Sequence, residues 1–332
     1  CSATDDSMGN QLHNETEQGK PTPVLWHPGN RLISPRNALV LSGVLLGMLI
    51  IGSIWDLQIS QALHNPRNPL GIFGAAYGEL PAGMALLVAG TLLIVFRNKD
   101  RLAVRVGQIV GGGLLYIVGA GMVLYLPTRY LSWPILVVVL TGVVIVAATS
   151  WGVVVLARGA SRRLAIRVAL ALFIVVLTEL ILINIIKIGW ERPRMRFISE
   201  TDAVGFSPWW SPGTPERDAL VAGGVEAEEF KSFPSGHTAN ATLAIMATAL
   251  IPLRASLEKW SNLLFWGGAV WGIYVGFSRI IVGAHFVSDT VVGFTVTFVI
   301  ILIAYRLIFP PSLSETSEYG NLEREQPKGT QQ

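Results

Sequence analysis

Eight apolar runs of about 17–25 residues dominate the chain, at 37–55, 80–96, 106–126, 134–157, 164–186, 237–253, 262–278 and 289–305. Each is long enough to cross a hydrocarbon core roughly 30 Å thick as a helix. Lipid leaves no backbone polar group a water partner, so helices are the economical way for such runs to span. The expectation is an all-α, polytopic membrane helix bundle of about eight transmembrane helices. Charge agrees: 14% of residues are charged, against about 25% in soluble domains. This balance disfavours intrinsic disorder, a disulfide scaffold and a basic nucleic-acid binder, so no nucleic-acid partner is expected. Cys1 is the only cysteine, which excludes an intrachain disulfide. It is read as a chain end lacking its initiator methionine rather than as a lipidated N-terminus.

The chain divides into a polar, disordered cytoplasmic tail over 1–36, N-terminal spans over 37–163, a motif-bearing membrane region over 164–305 with an external loop at 187–236, and a second polar tail over 306–332. Placing the N-terminus in the cytoplasm puts 16 of the 25 basic residues on that side. The positive-inside rule then expects both termini inside, in a multi-pass cell membrane protein. Gly268, Gly272 and Gly276, and the cluster Gly111, Gly112 and Gly113, read as close helix packing.

Three polar clusters fall on the outer face under this topology, which was derived without them. They are Lys187-Ile-Gly-Trp-Glu-Arg-Pro-Arg194, Pro234-Ser235-Gly236-His237, and Ser278-Arg279 followed by His285 and Asp289. Ser235 and Gly236 open a predicted helix, whose free N–H groups suit a phosphate. Lys187, Arg194 and Arg279 add cationic donors, two of them able to clamp phosphate oxygens bidentately. Four residues separate His285 from Asp289, so on a helix they share a face, and the carboxylate orients the imidazole as a nucleophile. His237 offers a second imidazole for general acid work. Singly, each residue also fits an interfacial side chain reaching for the headgroups. Together they fit phosphoryl transfer through a phosphohistidine. No cysteine or other third ligand completes a zinc site, so no metal and no cofactor is expected.

These motifs resemble those of the type 2 phosphatidic acid phosphatases, which share a fold with bacterial acid phosphatases and vanadium haloperoxidases. The family signature is Lys-x6-Arg-Pro, Pro-Ser-Gly-His and Ser-Arg-x5-His-x3-Asp. The second and third elements are met without departure; in the first, Met195 stands where the proline belongs. The resemblance covers about 165–305 and implies a six-helix-type phosphatase core in the C-terminal part. It implies His285 as nucleophile, Asp289 as its orienting partner and His237 as the acid for the leaving oxygen. It implies Lys187, Arg194, Ser235, Gly236 and Arg279 as phosphate binders, with no metal required. Arg194 is preferred over Arg192 because residues seven apart share a helix face, whereas five apart do not.

Two carboxylates complete the candidates. Glu179 lies inside the fifth span, two turns before Lys187, and fits either a functional or a hydrogen-bonded structural group. Glu79 lies on the site's side of the membrane and fits either contact with the site or a helix cap. The acidic loop 197–233 is read as a solvated loop, with a lid as the alternative. Trp190, Trp209 and Trp210 are expected at headgroup level. The expected function is hydrolysis of a lipid phosphate or diphosphate at the outer face, the partners being that lipid and the bilayer. The rivals are a phosphotransferase using an alcohol acceptor and a silent transporter or receptor on the same fold. The oligomeric state is not legible.

Overall fold

The computed structural model describes residues 31–309. Cys1 and most of both predicted tails lie outside the described residues. Every regular element among them is helical: α1 (Pro35–Leu63), α2 (Pro69–Tyr77), α3 (Leu80–Val95), α4 (Leu102–Tyr125), α5 (Ile135–Leu156), α6 (Arg162–Trp190), α7 (Met195–Glu200), α8 (Arg217–Ala222), α9 (Gly236–Thr242), α10 (Ser261–Ile281) and α11 (Val287–Ile308), with short 3-10 turns between them. Among the described residues, seven helical stretches are long and apolar enough to cross a membrane. The chain is thus a polytopic helical membrane bundle.

Local chemistry sets the ends of these helices. Ser34 caps α1 by accepting from Asn37 N at 3.1 Å, with Pro35 in the first turn. Ser161 caps α6 in the same way, through Leu164 N. That helix stops at Glu191, whose φ of +50° is the left-handed turn that ends the helical run, and Pro193 follows.

The run 237–253 differs from expectation. It is not one α-helix but α9 followed by a 3-10 helix, Leu243–Leu253. At roughly 2.0 Å per residue the tighter helix covers more depth than an α-helix of equal length. Eight of its 11 residues are buried, and it packs between α6 and α10. The glycine stripe of α10 explains that approach. A Cβ at Gly268 would stand 2.5 Å from Ile245 N, and one at Gly272 would stand 2.6 Å from the Phe294 ring. Of the other glycine cluster only Gly112 makes such a contact, against Gly90 O of α3; Gly111 and Gly113 meet nothing. Gly268→Leu is therefore expected to lower the thermal midpoint in detergent well below that of Gly113→Leu, since only the first forces two backbones apart.

Packing gathers one end of the bundle. The C-terminal ends of α1, α4, α6 and α10 meet the N-terminal ends of α3, α9 and α11 there.

Candidate active site

His285 lies in the turn between α10 and α11, made possible by Gly283 at φ +68°. Its side chain is 2% exposed. Nδ1 lies 2.5 Å from the backbone carbonyl of Ser232. A carbonyl only accepts, so Nδ1 carries the proton and Nε2 keeps its lone pair. Burial, reinforced by Lys187, Arg194, Arg279 and His237, holds the imidazole pKa well below the usual 6.5. His285 is therefore neutral at pH 7, the state in which Nε2 can attack an electrophile.

Asp289 does not bond His285 directly. Its Oδ2 lies 3.9 Å from Nδ1, and α11 starts only at Val287, so the expected shared helix face does not exist. The fully buried carboxylate is taken up by three other donors: Ser232 Oγ at 2.5 Å, Phe286 N at 2.9 Å and Arg192 Nη1. It reaches His285 at one remove, by fixing Ser232, whose carbonyl holds the ring. Ser232 was not among the sequence candidates. A backbone acceptor leaves no mark on residue type.

The shared-face argument for Arg194 also fails, because α6 ends at Trp190 before either arginine. The structure separates the two by their partners instead. Arg192 is buried and wholly engaged: Nε donates to Ser207 O, Nη1 to Ser288 Oγ and Asp289, and Nη2 to Asp56 at 3.1 Å. Phe206 and Phe286 lie against its guanidinium, at 5.2 and 4.3 Å. Asp56 of α1 also accepts from Ser288 N at 2.9 Å and from Ser288 Oγ. It lies one residue past the apolar run that marks the first span, and a carboxylate at that position is the signal that could have found it.

Arg194, in contrast, has a buried Nε without a partner, and Nη2 makes a 3.3 Å contact to the exposed Glu228. Arg279 is 4% exposed, and its Nε also lacks a partner. Lys187 Nζ donates to Lys231 O at 3.2 Å, and a Cβ on Gly236 would lie 3.8 Å from it. Ser235 caps α9, accepting from Thr238 N at 3.4 Å. Buried guanidinium N–H groups without acceptors carry a heavy desolvation cost, which a bound anion would offset.

His237, at the start of α9, completes the cluster. Its Nε2 lies 3.1 Å from the Tyr130 hydroxyl and its Nδ1 3.7 Å from Glu79 Oε1. Glu79 also accepts from Asn240 Nδ2 of α9 at 3.0 Å. Glu179 is buried beneath, with one carboxylate oxygen unpartnered. The acidic loop is tied to the cations: Glu228 pairs with Arg194 and Lys231, and Glu229 with Arg196. The tryptophans pack together, Trp190 stacking on Phe233 at 4.6 Å and donating to Trp209 O.

Among the described residues, no group of three or more His, Cys, Asp or Glu side chains is placed to hold a metal ion. Two histidines, three cations with unused donors or a neighbouring helix start, and a buried carboxylate network thus converge at one end of the bundle. The arrangement can bind a tetrahedral anion and present a neutral imidazole to it.

A stretch of 111 residues is 30% identical to "Phosphatidylglycerophosphatase B" of Bacillus subtilis (strain 168), covering 32% of this chain and 52% of the relative. The chain thus spans about half the length of the curated relative it matches. No solved structure matches. The family model described as "PAP2 superfamily" matches residues 167–311, the region that carries all three clusters.

Proposed function

We propose that the chain is a membrane-embedded phosphatase that hydrolyses a lipid phosphate or diphosphate through a phosphohistidine. The observation that carries the reading is the buried, neutral His285, with Nδ1 tied to Ser232 O and Nε2 free, amid Lys187, Arg194 and Arg279. The PAP2 superfamily match and a relative named phosphatidylglycerophosphatase B support the substrate class. So does a site at the end of apolar helices, where a lipid head meets it with its tails in the bilayer.

In the proposed reaction, His285 Nε2 attacks phosphorus in line as the bond to the lipid oxygen breaks. That oxygen takes a proton from His237, which takes up that proton as the phosphate dianion binds beside it. Lys187, Arg194, Arg279 and the Ser235–Gly236 backbone hold the equatorial oxygens. Water then attacks the phosphohistidine, giving a proton to His237 as the P–N bond breaks. The cations supply the charge stabilisation, so no metal takes part. By the positive-inside rule the site faces outward and both termini face the cytoplasm.

The test is phosphate release by the purified protein in detergent, with EDTA, across lipid phosphates and diphosphates. Release from at least one lipid supports the reading, and its absence from all of them overturns it. An added alcohol acceptor in one arm tells transfer from hydrolysis.

Two further results are expected. Arg194→Ala should lower kcat/KM about 10- to 100-fold, the worth of a charge-assisted contact, with the thermal midpoint nearly unchanged. Arg192→Ala should instead lower the midpoint strongly. The second concerns pH. Protonation of Nε2 removes the nucleophile, and the depressed His285 pKa delays that protonation as pH falls. The acid limb of kcat/KM assigned to His285 should therefore lie below pH 6.5.

A further inference from the structure

We infer that Tyr130, supplied by the spans that precede the PAP2 domain, is a positioning residue for the leaving-group acid His237. The inference rests on the proposed reaction and adds a residue to it. Tyr130 follows the 3-10 turn Leu126–Arg129 at the end of α4, outside the matched residues 167–311. A hydrogen bond from Tyr130 N to Pro127 O at 3.2 Å folds this turn back over the site.

Three contacts carry the argument. The Tyr130 hydroxyl lies 3.1 Å from His237 Nε2. The two rings meet edge to face, with centroids 5.7 Å apart at 83°. The Arg279 guanidinium carbon lies 5.8 Å from the Tyr130 ring centroid. Tyr130 thus touches both the proposed acid and a proposed phosphate binder. The other flank of His237 is occupied: Nδ1 faces Glu79 Oε1 at 3.7 Å, and the Ala75 backbone also bonds the ring. Nε2 is left as the nitrogen on the Tyr130 side, and the Tyr130 hydroxyl fixes its direction. An acid delivers its proton well only from a held geometry within hydrogen-bond reach of the leaving oxygen.

This assigns a task to the N-terminal spans. The α4–α5 connection brings Tyr130 to one flank of His237, and the α2–α3 junction brings Glu79 to the other. The domain recognised by its motifs takes the partners of its acid from outside itself.

The experiment compares Tyr130→Phe with the unmodified full chain on a lipid phosphate and on p-nitrophenyl phosphate. The variant keeps the ring and its contacts and removes the hydroxyl. An alkoxide leaving group needs a proton, whereas p-nitrophenolate leaves without one. The expected result is a fall in kcat of about tenfold or more on the lipid with KM little changed, and less than about threefold on the aryl ester. Equal falls on both substrates mean a merely structural role and overturn the inference, as does no fall on the lipid. His237→Ala, run alongside, should show the same leaving-group dependence, only larger. A normal chain that releases phosphate from neither compound overturns the functional reading, and this inference with it. Where Tyr130→Phe lowers the thermal midpoint, Tyr130→Trp, which restores ring bulk without the hydroxyl in place, should keep the lipid-selective loss; recovery of lipid turnover overturns the assignment.

Discussion

His285→Ala is expected to abolish lipid phosphate release, by about 10³-fold or more, with the protein still folded and still able to bind a phosphorylated lipid. The size follows from the role. If Nε2 makes the covalent bond, no neighbouring group replaces it, and what remains comes from binding and charge alone. The fold should tolerate the change because the ring's hydrogen bond is a single one, from Nδ1 to Ser232 O. Asp289, Ser232 and Arg192 stay bonded to one another without it. Turnover beside a thermal melt checks both halves. A variant retaining a tenth of the activity would mean that another group attacks.

Asp289→Ala should be costly in a different way. The carboxylate accepts from Ser232 Oγ, Phe286 N and Arg192, all buried. Removing it leaves the Arg192 cation half-compensated by Asp56 alone, and breaking a buried pair typically costs about 3–5 kcal/mol. It also frees Ser232, and with it the carbonyl that sets the His285 tautomer. Both stability and activity should fall, activity by about 10²-fold or more. Asp56→Ala separates the two effects. Asp56 holds Arg192 and Ser288 but touches neither Ser232 nor His285. Its loss should lower the midpoint comparably while sparing more of kcat. If Asp56→Ala removes as much activity as Asp289→Ala at equal stability, the one-remove role of Asp289 is wrong.

The membrane bundle was legible from the apolar runs, because length and hydropathy alone decide what can cross lipid. The candidate residues were legible as residue types: His237, Lys187, Arg194 and Arg279 all lie near enough to His285 to act on it electrostatically. What sequence did not carry was how they are held. No helix runs across Glu191 or before Val287, so a shared helix face supports neither Arg194 nor the His285–Asp289 pair. Ser232 acts through a carbonyl, which every residue has. Asp56 and Tyr130 lie 136 and 107 positions from Arg192 and His237, the residues they meet, and no local pattern connects such pairs. The break of the 237–253 run into α9 and a 3-10 helix depends on packing against α10 glycines, which periodicity does not register.

The central claim is a covalent phosphoryl group on His285, and a rapid-quench single turnover with excess protein and a lipid labelled in its phosphate tests it most directly. The account predicts label on the protein within the first turnover, stable to alkali and labile to acid. It should chase into free phosphate and be missing from His285→Ala. Label passing from lipid to free phosphate with none on the protein at any time, or equal labelling of His285→Ala, would contradict it.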